Sequence, residues 1–148
     1  MSSICVRVLI AAEPAAVWRA VERVESHVEW MQDARAIRLL PMDPEPRVGL
    51  RFECDTRVGP LQLTDLMEIT EWDPPRVMGV RHIGAVTGSG RFTLSPAGQG
   101  TLFEWEEELE FPWWLGGRAG ARAARPVFGW IWRRNLQALR AQVEAAAG

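Results

Sequence analysis

Between Arg47 and Arg57 the chain alternates with period two: Val48, Leu50, Phe52 and Cys54 fall on one side, and Gly49, Arg51, Glu53 and Asp55 on the other. Side chains that alternate in this way predict an antiparallel strand with one face packed and one face wet. A chain built on such a strand needs something to cover the apolar face. Further strand-like runs follow at Leu61 to Trp72, Val77 to Ile83, Arg91 to Leu94 and Thr101 to Phe111. They are separated by Val58-Gly59-Pro60, Asp73-Pro74-Pro75 and Pro96-Ala97-Gly98-Gln99-Gly100, which turn the chain rather than extend it. Residues 4 to 10 read as an earlier strand, and Ala36 to Leu40 as another, closed by Pro41.

Two short helices are expected after the first strand. Pro14 lies in the first turn of one, with Val17, Val21 and Val24 on a single face; Ser26 is placed to cap the other, around His27 to Met31, with Glu29 three residues on. A long helix is expected from beyond Gly116-Gly117 to about Ala145, divided by Pro126. Its stripe of Leu136, Leu139 and Val143 continues toward the start as Phe128, Ile131 and Trp132, so it should lie across the concave face of the sheet. The expected class is therefore α+β: a curved antiparallel sheet of about six to seven strands wrapped on a long C-terminal helix.

With no repeat or linker, residues 1–148 read as a single domain. Its 17 basic and 19 acidic residues leave a net charge of -2, which argues against a nucleic-acid partner. Every basic residue is arginine and tyrosine is absent, which excludes a lysine Schiff base and a tyrosine acid. Arg7 and Glu13-Pro14 do not fit a secretory signal, so the mature chain is expected to start here; no apolar run approaches the roughly 20 residues of a membrane-spanning helix. Cys5 and Cys54 sit among apolar strand positions and read as buried free thiols of a reducing compartment, making the cytoplasm the expected location. His27 and His82 lie far apart and neither cysteine has a close partner, so no metal is expected. Gly88-Ser89-Gly90 precedes a strand rather than a helix, so it does not read as a phosphate loop, and no cofactor is expected.

The runs Val17-Trp18-Arg19-Ala20-Val21, Glu29-Trp30-Met31, Glu71-Trp72-Asp73-Pro74-Pro75-Arg76 and Gly100-Thr101-Leu102-Phe103-Glu104-Trp105 resemble, in order and spacing, the SRPBCC superfamily of START-like proteins. The likeness is to its polyketide cyclase/dehydrase-like members and spans nearly the whole chain. It implies a helix-grip fold with a cavity between sheet and long helix for a hydrophobic ligand. Lipid carriers, hormone receptors and polyketide aromatases share that fold, so chemistry has to be read from the cavity.

If Phe52 and Cys54 face inward, so should Phe103, Trp105, Glu107, Leu109 and Phe111, which makes Glu107 the odd member of its face. Glu104, Glu106, Glu108 and Glu110 then form a solvated outer row. Asp65 sits similarly among Leu61, Leu63, Met67 and Ile69, unless a bulge near Leu66 turns it out. Arg81 and His82 must point to opposite faces, so one of them looks inward. These four, Glu107, Asp65, His82 and Arg81, are the candidate catalytic groups, with a structural ion pair as the alternative. The apolar wall is expected from Trp30, Phe52, Met67, Phe92 and Phe103, and from Trp105, Phe128, Ile131 and Trp132, with Glu107 as a polar contact; Trp18 and Trp72 read as core. Trp113 and Trp114, between Pro112 and Gly116-Gly117, are placed to gate entry or to touch a membrane transiently, and Arg118, Arg122 and Arg125 suit anionic head groups or an acidic ligand tail.

The expected function is binding or carriage of a hydrophobic small molecule, a lipid, quinone or polyketide-like compound, by a monomer or homodimer. A polyketide cyclase/aromatase or dehydratase is the alternative, and a protein-interaction module the third.

Overall fold

The computed structural model describes residues 2–40 and 47–147. Strand β1 (Ser2–Ile10) leads into α1 (Pro14–Val21) and a 3-10 turn (Val24–Glu29). A meander follows: β2 (Ala34–Leu40), β3 (Arg51–Val58), β4 (Leu61–Asp73), β5 (Val77–Ile83), β6 (Thr87–Ala97) and β7 (Gly100–Glu110). A second 3-10 turn (Trp113–Leu115) precedes α2 (Gly117–Ala147). The seven strands form one antiparallel sheet in the order β1-β7-β6-β5-β4-β3-β2, which places the first strand beside the last. The architecture is the expected helix grip.

Alternation decides the faces. In β1, Ile4, Val6, Val8 and Ile10 are buried while their neighbours are not, and in β7 the same holds for Phe103, Trp105, Glu107 and Leu109. The registers Val6↔Trp105 and Val8↔Phe103 stack these positions on the side that α2 covers. Leu136, Leu139 and Val143 of α2 are all buried there. The helix is also fastened by polar contacts: Glu144 Oε2 accepts the Ala11 N–H at 2.8 Å, and Asn135 Nδ2 donates to Asp33 Oδ1 at 2.7 Å. The Asn135 side-chain oxygen accepts the Gln32 N–H at 3.0 Å, so the buried amide is satisfied from both ends.

Several local expectations are corrected. β3 begins at Arg51, and Val48 lies in the preceding turn with 58% of its surface exposed, because Gly49 takes a φ of 96° that ends the extended run. Ser26 caps no helix; it sits inside the 3-10 turn and its hydroxyl donates to the Arg23 carbonyl at 2.6 Å. The irregularity in β4 lies at Ile69 to Glu71 rather than near Leu66, so Asp65 keeps its inward register. β6 extends well beyond Arg91 to Leu94, and α2 runs unbroken through Pro126. Cys54 is buried, but Cys5 is exposed on the outer face opposite Glu106; both are free thiols. Pro41, expected to close β2, lies outside the described residues. Among the described residues no helix is long and apolar enough to cross a membrane.

Candidate functional site

Between the first half of α2 and the concave face of β3 to β7 lies a cavity in which water centres can occupy about 140 Å³, room for roughly ten waters. Its walls are mainly apolar: Phe52, Met67, Met78, Val80, Phe92 and Leu109 from the sheet, and Phe128 and Trp132 from α2. Trp105, Trp132 and Phe128 stack in series along one side, with ring centroids 4.6 and 5.3 Å apart and planes within 20° and 17°. Three rings locked face to face give a flat, rigid wall at little conformational cost. Phe111 meets Phe128 edge-on at 6.3 Å.

Three of the four candidate polar residues converge within this apolar surround. His82 Nδ1 lies 2.7 Å from Asp65 Oδ2, and His82 Nε2 lies 2.7 Å from Glu107 Oε2. Both imidazole nitrogens therefore face carboxylates. Both oxygens of Glu107 have a partner, since the other one accepts the Trp105 indole N–H at 3.0 Å. Asp65 differs: its Oδ1 is buried without a hydrogen-bond partner, although the residue lines the cavity. Burial alone would lower the pKa of His82, but the charge of Glu107 and the hydrogen bonds to both carboxylates outweigh it and raise the pKa to about 10. The cluster thus holds one cation between two acids.

Register explains how residues on non-adjacent strands meet. His82 of β5 lies opposite Gly88 of β6, and Gly90 of β6 lies opposite Glu107 of β7. Neither glycine carries a side chain into the cavity, so the imidazole reaches over β6 to the glutamate. A Cβ added at Gly90 would stand 2.5 Å from Glu107 Oε1. Gly88 and Gly90 are two residues apart in β6 and so share its inward face, which leaves that stretch of the strand without side chains.

The fourth candidate is elsewhere. Arg81 projects from the outer face, more than half exposed, and donates to Glu68 Oε2 at 2.9 Å, because consecutive strand residues alternate. Phe52, Met67, Phe92, Trp105, Glu107, Phe128 and Trp132 line the cavity, but Trp30, Phe103 and Ile131 do not. Phe103 is fully buried behind Phe92 at 5.1 Å, and Trp30 packs edge-on against Trp105 at 6.0 Å, so both form a second layer. Ile131 is buried, but as the helical neighbour of Trp132 it is turned about 100° away from it.

Polar lining residues not anticipated from sequence include Asp33 and His27. Asp33 accepts from the Trp132 indole N–H at 3.3 Å as well as from Asn135, tying the stacked wall to the segment before β2. His27 is buried, with Nε2 donating to the Val21 carbonyl at 2.8 Å; burial pushes its pKa down to about 4, only partly offset by that hydrogen bond. Cys54 also faces the cavity, and burial pushes its thiol up to about 11. Among the described residues no group of three or more His, Cys, Asp or Glu is arranged to hold a metal ion.

The two histidines should behave oppositely in solution. NMR titration of their ring protons is expected to show His27 neutral down to about pH 4 and His82 charged up to about pH 10. Gly90→Ala, by pushing the Glu107 carboxylate aside, should bring His82 back toward its ordinary 6.5 without moving His27. Two rings titrating together near 6.5 in the unaltered protein would contradict the arrangement.

A family model described as polyketide cyclase / dehydrase and lipid transport matches residues 1–144. No curated protein sequence matches the chain. Among solved structures, the fold is shared with TTHA0849 from Thermus thermophilus at a TM-score of 0.80 and 18% identity, over 99% of this chain and 100% of that one. XoxI from Bacillus cereus aligns at 0.75 and 16% identity over 100% and 99% of the two chains. The di-domain ARO/CYC StfQ of the steffimycin biosynthetic pathway aligns at 0.76 and 14% identity, over 99% of this chain and 51% of StfQ.

Proposed function

Since the chain belongs to the polyketide cyclase/dehydrase and lipid transport family of the SRPBCC superfamily, we propose that it binds a small, mostly apolar molecule in the cavity between sheet and α2, as a carrier or binding protein. The observation that carries this reading is a rigid aromatic wall in the same cavity as a part-buried carboxylate with one buried, open acceptor atom, Asp65 Oδ1. An unpartnered buried acceptor is costly, by about 1–3 kcal/mol, and a ligand donor relieves it. The ligand is therefore a lipid-, quinone- or polyketide-like molecule that presents a hydroxyl or amine to Asp65. Room for roughly ten waters suits one or two rings or a short acyl chain rather than an extended lipid.

Trp105 and Trp132 bound the cavity, so an occupant is expected to quench tryptophan fluorescence and to raise the melting temperature. A flat response across short lipids, quinols and phenolic polyketides would overturn the reading.

A second reading, a cyclase/aromatase or dehydratase, draws on the same cluster. A carboxylate with an open oxygen beside a protonated imidazole is a base whose proton is shared onward, and Asp65, rather than Glu107 with a partner on each oxygen, is the group placed to touch a substrate. Under it, Asp65→Asn abolishes turnover of a polyketide-like substrate and leaves its binding within a few-fold.

A further inference from the structure

Between Phe111 and Val143 the chain carries six of its 17 arginines and none of its 19 acidic residues, although the protein as a whole is acidic. This stretch comprises the second 3-10 turn and most of α2. Elsewhere in the fold arginines are commonly neutralised: Arg38 by Asp55, Arg51 and Arg81 by Glu68, Arg76 by Asp73 and Arg91 by Glu71. Here Arg118, Arg122, Arg125, Arg133 and Arg134 are exposed, and among the described residues none is paired with a carboxylate. The acidic row Glu106, Glu108 and Glu110 lies on the outer face of the sheet, away from α2, so the molecule is electrically two-sided.

The same surface exposes four large apolar groups, three of them tryptophans. Trp113 is 87% exposed, Trp130 57%, Trp114 53% and Val127 48%. Arg134 lies over the Trp130 ring, 4.9 Å from its centroid, which holds that indole outward beside a positive charge. Indoles mixed with arginines are the composition that settles at a lipid interface, where the ring is taken up at headgroup level and the guanidinium meets phosphate. A nucleic acid would use the charge but would leave the apolar Val127 and the tryptophan edges in water.

We infer that the Trp113–Trp114 turn and the outward face of the first half of α2 form a docking surface for an anionic lipid bilayer. The position is functional in its own right: Phe111 and Phe128, both half-buried and lining the cavity, lie two residues from Trp113 and from Trp130. Docking would set the cavity's aromatic end against the membrane, the place where a poorly soluble molecule is collected or delivered. The docking inference stands on exposed side chains and does not need the cavity reading to hold.

The test is flotation of the full chain with vesicles of phosphatidylcholine containing about 30% phosphatidylglycerol, against phosphatidylcholine alone. The protein is expected to float with the anionic vesicles and not the neutral ones, with a blue shift of tryptophan emission. Each arginine contributes about five-fold in partition near such a surface, so Arg118→Gln, Arg122→Gln and Arg125→Gln together should weaken binding roughly a hundred-fold. Trp113→Ala with Trp114→Ala should abolish the blue shift. All five side chains are exposed, so the melting temperature is expected to stay put, which separates loss of docking from loss of fold. No flotation on anionic vesicles, undiminished flotation of the variants, or equal binding to heparin without a blue shift would each overturn the inference, the last assigning the surface to polyanions at large.

Discussion

Replacing His82 with leucine is expected to cost about 3–5 kcal/mol of stability at neutral pH, because it leaves the buried Glu107 and part-buried Asp65 carboxylates facing a cavity with no cation between them. The pH dependence gives the effect a signature. The pKa of His82 is raised in the folded state from 6.5 to about 10, so its contribution is complete below the unfolded value and is lost as pH climbs from 6.5 toward 10. His27 works in the other direction: its pKa is depressed to about 4, so its contribution is complete above 6.5 and is lost as pH falls through 4. Cys54, raised from 9.0 to about 11, adds a second alkaline loss that begins near 9. Denaturant melts between pH 6.5 and 8.5 therefore isolate His82. Over that window the unaltered protein should weaken by about 2 kcal/mol while His82→Leu stays flat; parallel profiles would mean that the imidazole carries no charge there.

Gly88→Ala is expected to be strongly destabilising for the addition of one heavy atom. Gly88 has a φ of 133°, outside the range open to other residues, and a Cβ there would overlap the Glu108 carbonyl oxygen of the neighbouring strand. Backbone, unlike a side-chain tip, has no rotamer by which to withdraw. The β6 to β7 pairing beside His82 and Glu107 would have to open, at a cost above about 4 kcal/mol, enough to unfold a marginally stable domain. Circular dichroism and thermal melting read this directly; a variant melting within a few degrees of the original would show that the strands tolerate the added atom. The comparison with Gly90→Ala is informative, since there the obstacle is the movable end of Glu107 and the loss should fall on the site more than on the fold.

Much of this architecture is legible in the sequence because antiparallel strands write their faces into alternate residues. The inward positions of Phe52, Cys54, Phe103, Trp105 and Glu107 follow from period two, whereas that of Asp65 also depends on where the bulge in β4 falls, which the period does not decide. The period also singles out one of Arg81 and His82, though not which. It fails where a turn intrudes on a pattern, as at Val48, where Gly49 ends the strand although the apolar spacing continues. It is silent on contacts that depend on register between strands. That His82 reaches Glu107 rests on Gly88 and Gly90 lying opposite them, and no reading of either strand by itself discloses that alignment. Asp33 and His27 were missed for a related reason. Both sit in short turns without periodicity; the role of Asp33 comes from Trp132 and Asn135 of α2, a hundred residues away, and that of His27 from the Val21 carbonyl and the Phe92 ring it packs against. The layering of Trp30 and Phe103 behind Phe92 and Trp105 likewise depends on depth, which an alternating pattern does not encode.

Isothermal titration with naphthol and its isostere methylnaphthalene tests most directly whether the apolar cavity takes a ligand through the open Asp65 Oδ1. The account predicts one saturable site for both, with naphthol about ten-fold tighter through its hydroxyl to Asp65, and loss of both in Val80→Trp, which fills the cavity from β5. Absence of binding, or binding that survives the filled cavity, would contradict it.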